Sequence, residues 1–282
     1  MTRRVKIFRW RRQEAPDGNF GDEITIDLLR RLFSIEAEPV AMPEAELIAT
    51  GSILDAYDRQ RWRRRLFAYG RRHRWASDLH VWGAGAMHWR SSVKWPQRLH
   101  YHAVRGELTA ARAGLNGVVL GDPGILVSRL MTRPADRVAV ALVPHWSEWE
   151  HARALDLPKS WILVHPEQPA MDAVAAIASA ELVVSSSLHG LITADAFDIP
   201  AIWAAPNERI HWAHEFKFKD HASSRRRPFN EPVAYREVLA MCETKRGDIA
   251  TTPGRKVAEW QDDLVKAFPF VGVALAAVFA GE

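Results

Sequence analysis

The sequence predicts an α/β protein in which parallel strands alternate with helices. Short apolar stretches, such as Val138–Val143, end in a cluster of small or polar residues and are followed by a helical pattern. This alternation favours a parallel sheet with helices on both faces. It begins a second time after a polar segment at Met131–Arg137, and 282 residues are enough for two medium domains. We therefore predict a first domain over residues 1–132, a second over residues 133–253, and a C-terminal helix and tail over residues 254–282.

The first domain shows five apolar runs that we predict to be strands. Asp22 stands at the start of a helical pattern of apolar residues, where we expect its side chain to cap the first helix. Another helix is predicted over Glu107–Ala113. The predicted strands are Val5–Trp10, Leu47–Ala49, His80–Trp82, Tyr101–Val104 and Val118–Leu120.

The second domain repeats the same pattern. The alanine-rich stretch Met171–Ala180 is predicted to be a helix, and Gly254–Phe268 has the amphipathic pattern of a final helix. The predicted strands are Val138–Val143, Trp161–Val164, Leu182–Val184 and Ala201–Ala204.

One stretch of the second domain, Leu182–Pro200, organises the candidate site. A buried strand ends in three serines at positions 185–187, and an apolar pattern of helical spacing follows. This arrangement places His189 in the first turn of a helix, where free backbone N–H groups and the helix dipole favour an anion. Ligands of open α/β sheets bind at the carboxyl ends of the strands. His189 is therefore the first candidate for a functional residue.

Other polar residues follow predicted strands. Arg105 lies between a strand and a helix, and a guanidinium in that position suits two-point binding of phosphate or carboxylate. Asp122, in Gly-Asp-Pro, either binds a ligand or initiates a turn, and for His145, after Pro144, a ligand role and a structural role are equally supported. Further candidates, each with a competing role as a cap or turn residue, are Asn19, Asp22, Ser52, Gly83 and Gly85.

Composition limits the classes of protein. The net charge of +4 and a pI near 9.4 make anionic partners plausible. Cys242 is the only cysteine, which excludes an internal disulfide and a cysteine-based zinc cluster. We expect no secretory signal, because the N-terminal sequence MTRRVKIFRWRR has no apolar core region. We expect no membrane-spanning helix, because the longest apolar stretch, Ala267–Ala280, contains Pro269; it is interpreted as a packed helix or tail, with a membrane-surface contact as the alternative. The expected location is the cytoplasm.

A basic segment, Arg59–Arg74, contains eight arginines and no acidic residue. The default interpretation is a solvated basic helix. The next is a peripheral contact with anionic lipid at the inner face of the plasma membrane, or with a lipid-linked diphosphate substrate. Nucleic acid is not expected as a partner, because no recognition motif accompanies the charge.

The order of the short motifs resembles that of the polysaccharide pyruvyl transferase family. The motifs are Asn-x-Gly-Asp, Gly-Ser, Trp-Gly-x-Gly, Val-Arg-Gly, Gly-Asp-Pro, Pro-His and Ser-Ser-x-His-Gly. In this chain they are Asn19–Asp22, Gly51-Ser52, Trp82–Gly85, Val104–Gly106, Gly121–Pro123, Pro144-His145 and Ser186–Gly190. Phe216–Ser223 resembles the family's Lys-Phe-x-Asp segment, and the whole resemblance spans about residues 17–225.

The resemblance implies a glycosyltransferase-B-like fold, in which two Rossmann-like domains face each other across a cleft. It implies phosphoenolpyruvate as the donor, a sugar diol in a lipid-linked saccharide as the acceptor, and a cyclic pyruvate ketal as the product. No cofactor and no metal are expected, because arginine takes the place of a metal. Arg105 matches the family's donor-binding arginine and His189 its proposed catalytic acid. The same donor site would include Ser186, Ser187 and Gly190.

This resemblance leads to a mechanistic expectation for His189. As an imidazolium it would protonate C3 of the donor. The helix dipole alone lowers the pKa of His189, whereas a bound dianion raises it, so the acid should be charged chiefly when the donor is bound. Asp22, Asp122 or His145 would act as the base for the acceptor hydroxyls.

Two alternatives from other classes stay open at this stage. A nucleotide-sugar glycosyltransferase on the same fold would bind a nucleoside diphosphate. A non-catalytic carbohydrate-binding protein would bind glycan without releasing phosphate from any donor.

Overall fold

A computed structural model describes residues 2–10, 18–57, 78–89, 98–205, 212–244 and 254–270. Within them the chain forms two parallel sheets with helices packed between and around them. The α/β class and the parallel sheets predicted from sequence are confirmed. The strands of one sheet all precede residue 121, and those of the other all follow residue 137.

The first sheet has six strands in the order β2-β1-β3-β4-β5-β6, all parallel. From β1 the chain moves outward to β2 and then returns to β3 on the other side of β1. The strand order therefore reverses between β1 and β3, and such a switch point leaves a crevice at the carboxyl ends of the two strands. The strands are β1 Arg3–Ile7, β2 Ile35–Pro39, β3 Leu47–Ile48, β4 Leu79–Trp82, β5 Leu99–Val104 and β6 Val119–Leu120.

The second sheet has five parallel strands in the order β11-β10-β9-β7-β8. Its order reverses between β7 and β9, which places a second crevice beyond the ends of those strands. The strands are β7 Val138–Val143, β8 Trp161–Leu163, β9 Ala180–Ser185, β10 Ala201–Ala205 and β11 Val233–Ala234.

Eight α-helices complete the described residues. Helix α1 packs against α4, and α5 packs against a 3-10 helix at Pro123–Arg129, so the apolar core continues from one sheet to the other. The helices are α1 Phe20–Phe33, α2 Glu107–Ala113, α3 Trp149–Ala152, α4 Ala170–Ser179, α5 Leu188–Ala196, α6 Trp212–Ser224, α7 Tyr235–Thr244 and α8 Val257–Lys266.

The C-terminal helix α8 returns to the first sheet. The indole Nε1 of Trp260 donates to the carbonyl of Leu120 at 2.8 Å, and the indole Nε1 of Trp82 donates to the carbonyl of Leu264 at 2.8 Å. Both indoles are fully buried. The helix thus covers the face of the first sheet although it is the last described helix in the sequence.

Most predicted elements are present, and the differences include the following. Strand β1 begins two residues earlier than predicted and ends at Ile7. The short edge strand β2 was not predicted, because its sequence IEAEP is half polar. The expectation that Asp22 caps α1 was wrong: the cap is Asn19, whose Oδ1 accepts the backbone N–H of Gly21 at 3.2 Å.

Candidate active site

The beginnings of two helices, α1 from the first sheet and α5 from the second, meet at the candidate site. Gly21 lies so close to His189 that a Cβ on Gly21 would come within 2.0 Å of the imidazole Nδ1. The ring of Phe20 stands edge-on to the imidazole, with the centroids 6.5 Å apart. Only a residue without a side chain fits at position 21, so this glycine permits the contact between the halves.

His189 faces a carboxylate from the first half. Its Nε2 lies 3.9 Å from Oδ2 of Asp122, which is too long for a hydrogen bond. Within the described part of the chain both atoms are buried and have no hydrogen-bond partner. Buried polar atoms are rarely left in this way, so the pair marks a place where a ligand atom or a water can be bound.

Burial changes the protonation of this group of residues. Burial, followed by the charges of Lys217 and Arg105, lowers the pKa of His189 to about 3. Burial raises the pKa of Asp122 to about 6. Burial and the neighbouring Asp122 together raise the pKa of Asp22 to about 7. Near neutral pH the site therefore contains a neutral imidazole and two carboxyl groups close to their titration points.

Lys217 of α6 supplies a buried positive charge. Its side chain is 7% exposed, and burial together with the charge of Arg105 lowers its pKa to about 8. Asp22 and Glu148 act in the opposite direction and favour the charged form. A lysine with this pKa is charged at neutral pH and can bind an anion.

Arg105 is fully buried at the junction of the two halves. Its Nε donates to Oδ2 of Asp220 on α6 at 3.0 Å, and its terminal nitrogens donate to Oγ of Ser52 and the carbonyl of Ala86. Asp220 also accepts two hydrogen bonds from Thr109 of α2, from the backbone N–H at 2.9 Å and the hydroxyl at 2.6 Å. The guanidinium predicted to bind a ligand is thus held by a carboxylate of the other half.

A guanidinium has five N–H groups. Among the described residues, its three partners use one N–H on each nitrogen of Arg105, so each terminal nitrogen retains one N–H for a ligand. Gly85 makes the position possible, because a Cβ there would lie 2.2 Å from the guanidinium carbon.

Several other predicted candidates shape the backbone around the site. Gly83 has a φ of +92° and leaves room for the ring of Pro123. Gly190 allows α5 to approach Ser185, whose Oγ would lie 2.2 Å from an added Cβ. Ser187 is the N-cap residue of α5, but its side chain makes no capping hydrogen bond.

His145 and Ser186 join the ends of β7 and β9. The backbone N–H of His145 donates to Oγ of Ser186 at 2.9 Å, and Nδ1 of His145 lies 2.7 Å from Oγ of Ser147. The imidazole accepts the backbone N–H of Ser147 and so caps a short 3-10 helix at Trp146–Glu148. The side chain of His145 is therefore engaged in local structure.

Two sequence-based expectations fall outside the described residues. The basic segment Arg59–Arg74 lies within the undescribed stretch 58–77, and most of Ala267–Ala280 lies beyond residue 270. None of the helices in the described ranges is long and apolar enough to cross a membrane. Nor do those ranges contain a group of three or more His, Cys, Asp or Glu arranged to hold a metal ion.

Three charged residues in and around the site are not among the candidates predicted from the sequence. Lys217 and Asp220 lie in the segment Phe216–Ser223, which resembles the family's Lys-Phe-x-Asp segment and to which the sequence assigned no function. The sequence did contain a signal for Lys217, because a lysine between two phenylalanines is unusual on a solvent-exposed helix face. Glu148 lies in the polar sequence WSEWE and gave no signal, because only the fold brings it to Ser186.

Comparison with known proteins identifies the family of the chain. A family model described as polysaccharide pyruvyl transferase matches residues 19–208. The succinoglycan biosynthesis protein ExoV of Rhizobium meliloti (strain 1021) is 28% identical over 246 residues, covering 82% of this chain and 69% of that protein. The uncharacterized protein L143 of Acanthamoeba polyphaga mimivirus is 27% identical over 135 residues, 43% of this chain and 47% of that protein. Since the family match spans more than half of the chain and includes Arg105, Asp122 and His189, the chain belongs to the polysaccharide pyruvyl transferase family.

Proposed function

We propose that the protein transfers the pyruvyl group of phosphoenolpyruvate to two hydroxyls of one sugar, forming a cyclic ketal and releasing phosphate. The observation that supports this most strongly is the buried group of Arg105, Lys217 and His189, to which both halves of the chain contribute. Two buried cations suit a small molecule that carries both a phosphate and a carboxylate. An imidazole with an unpartnered nitrogen suits a reaction that moves a proton.

The proposed reaction balances without an oxidant or reductant. The donor gains a proton at C3 and becomes electrophilic at C2, where the first sugar hydroxyl attacks. The C–O bond to phosphate then breaks, and the second hydroxyl closes the ketal. Of the two hydroxyl protons, one replaces the proton given to C3 and the other leaves with phosphate.

Binding of the donor would reverse the protonation of His189. The imidazole is neutral in the ligand-free site, because burial and the neighbouring cations lower its pKa to about 3. A phosphate dianion next to Arg105 and Lys217 neutralises those cations and adds negative charge, so it raises that pKa. Asp122, whose Oδ2 lies 3.9 Å from Nε2 of His189 and whose carboxyl titrates near pH 6, is a neighbouring group from which the imidazole can take its proton.

The acceptor is proposed to be a sugar of a lipid-linked exopolysaccharide unit. The support is the similarity to ExoV, a succinoglycan biosynthesis protein that is 28% identical over 246 residues. A reaction at the inner face of the plasma membrane, with Arg59–Arg74 in contact with anionic lipid, remains part of the proposal.

The test is an assay of phosphate release and ketal formation. The donor is phosphoenolpyruvate, and the acceptors are methyl glycosides of glucose, galactose and mannose with free 4- and 6-hydroxyls. We expect ketal and phosphate in equal amounts from the wild-type protein, and a loss of a hundredfold or more in turnover for His189→Gln and Lys217→Met. Lys219→Met is the matched control, since Lys219 lies on the same helix and pairs with Glu215 at its surface.

Binding to nucleotide sugars separates this function from its main alternative. If UDP-sugars raise the melting temperature and phosphoenolpyruvate does not, the protein is a glycosyltransferase on a similar fold. If glycans bind but no donor is consumed, it is a carbohydrate-binding protein. Either result would contradict the proposal.

A further inference from the structure

A polar cluster lies at the switch point of the second sheet, beside the start of α5. It consists of Glu148, Ser186 and Tyr235, which come from the segment after β7, the turn after β9 and the start of α7. Ser186 Oγ donates to Oε2 of Glu148 and lies 2.7 Å from the hydroxyl of Tyr235. The Tyr235 hydroxyl donates to the same Oε2 at 3.1 Å. Two hydroxyls thus fix one oxygen of a carboxylate where open α/β sheets bind their ligands.

The other oxygen of Glu148 is available. Oε1 accepts no hydrogen bond from any described residue, and it is not among the fully buried atoms. Glu148 as a whole is half-buried, whereas Ser186 and Tyr235 are buried. The carboxylate is therefore held rigidly on one side and open on the other.

The cluster is connected electrostatically to the candidate donor site. Burial raises the pKa of Glu148, while the hydrogen bonds from Ser186 and Tyr235 and the charges of Lys217 and His151 oppose the increase. Lys217 also interacts with Asp22 of the first half. The lysine thus lies within electrostatic reach of both carboxylates, one from each half, and Ser186 is only three residues before His189.

We propose that Glu148 is the general base for the acceptor, receiving the proton of the attacking sugar hydroxyl at Oε1. This proposal rests on the proposed function and deepens it. The indole of Trp146, two residues earlier in the chain, is 39% exposed, and an exposed indole is a suitable surface for a sugar ring. The proton that Glu148 accepts passes to the departing phosphate, which leaves the carboxylate ready for the next cycle.

Glu148 is better placed for this role than the bases expected from sequence. Asp122 is fully buried and faces His189. Asp22 belongs to the first half and lies close to Gly51, where an added Cβ would be 3.0 Å from its Oδ1. The imidazole of His145 caps the turn that carries Glu148.

The first test compares Glu148→Gln with Glu150→Gln in the phosphate-release assay with the methyl glycosides. Glutamine keeps the size and the acceptor oxygen for Ser186 and Tyr235 but cannot take a proton. We expect kcat to fall by about 10²–10⁴-fold for Glu148→Gln, with the Kd for phosphoenolpyruvate within twofold of wild type. Glu150, which pairs with Arg153 at the surface, should tolerate the change without loss of turnover.

The second test uses Tyr235→Phe and a pH profile. The base must be ionised, so activity rises with pH through the pKa of Glu148. Removing a hydrogen bond that favours the carboxylate raises that pKa, and the acidic limb of the profile should move to higher pH. A residue that only supports the fold would lower activity without moving the limb.

The outcomes separate the two proposals. Wild-type turnover in Glu148→Gln, or an unmoved acidic limb in Tyr235→Phe, overturns the role of Glu148 and leaves the proposed function intact. If the Glu148→Gln protein does not fold, the position of the acidic limb in the pH profile of Tyr235→Phe decides the role of Glu148. A wild-type protein that releases no phosphate with the three glycosides or with lipid-linked saccharides that carry these sugars contradicts the proposed function and this role with it.

Discussion

His189 shows how strongly the surroundings of one residue determine its chemistry. The sequence predicted an imidazole at a helix start beside an anion site. The fold adds two features, burial and the proximity of Lys217 and Arg105, which lower the pKa of His189 to about 3. The residue is therefore uncharged before the donor is bound, and we propose that the donor's own charge converts it into an acid.

Lys217 gives a prediction about pH. Its pKa is lowered to about 8, so in the free protein its positive charge is present below that pH and is lost above it. We expect the Kd for phosphoenolpyruvate, measured by calorimetry, to increase at least tenfold between pH 7 and pH 9.5. Lys217→Arg should remove this alkaline weakening, because arginine stays charged. A wild-type affinity that is unchanged at pH 9.5 would contradict the assigned role.

At the scale of elements, helix α6 connects the site to the second sheet. Lys217 and Asp220 face the site, and the neighbouring His221 donates from Nε2 to Asp195 of α5 at 2.7 Å. Asp195 also accepts from Arg227 at 2.7 Å and is 2% exposed. Burial alone would raise the pKa of Asp195, but the hydrogen bond from His221 and the charges of Arg227 and Arg225 hold it below its usual value.

This network predicts an unequal response of two neighbouring aspartates. Removing one partner of a buried charged group costs about 3–5 kcal/mol. Asp195→Asn should therefore lower the free energy of unfolding by about 3 kcal/mol at pH 7. Asp198 is exposed and pairs with Arg225, so Asp198→Asn should lower the free energy of unfolding by less than about 1 kcal/mol. Chemical denaturation measures both.

The pH dependence of that difference has a definite sign. The pKa of Asp195 is lower in the folded protein than in the unfolded chain, so its stabilisation is complete above about pH 5 and declines as the pH falls through the folded value. The gap between wild type and Asp195→Asn should thus be constant from pH 5 to 8 and shrink in strong acid. A gap that widens below pH 5 would show that the network does not stabilise the carboxylate.

The elements themselves show what sequence can predict. Glu107–Ala113 and Val138–Val143 have the bounds expected from their patterns, because apolar periodicity and flanking glycine or proline fix both. The short strands β2 and β11 carry no such pattern and are held by pairing with a neighbouring strand. At the site, the strand–serine–helix pattern placed His189 correctly. The pairing of Arg105 with Asp220 spans 115 residues and required the fold.

At the scale of the whole molecule, the first half depends on the last described helix. Trp260 of α8 is fully buried and its indole bonds to Leu120 of β6. We expect Trp260→Ala to destabilise the protein by about 3–5 kcal/mol. Trp10→Ala, at an indole that is 53% exposed, should change stability by less than about 0.5 kcal/mol. Equal melting temperatures for the two variants would contradict the packing of α8 on the first sheet.

The most direct test of the central claim is a crystal structure of the protein with phosphoenolpyruvate bound. The central claim is that groups from both halves hold one donor anion. We predict that its phosphate and carboxylate contact Arg105 and Lys217, and that C3 lies within reach of Nε2 of His189. Density for the donor at a site that includes none of these three side chains, in crystals of a protein that forms the ketal, would contradict the account.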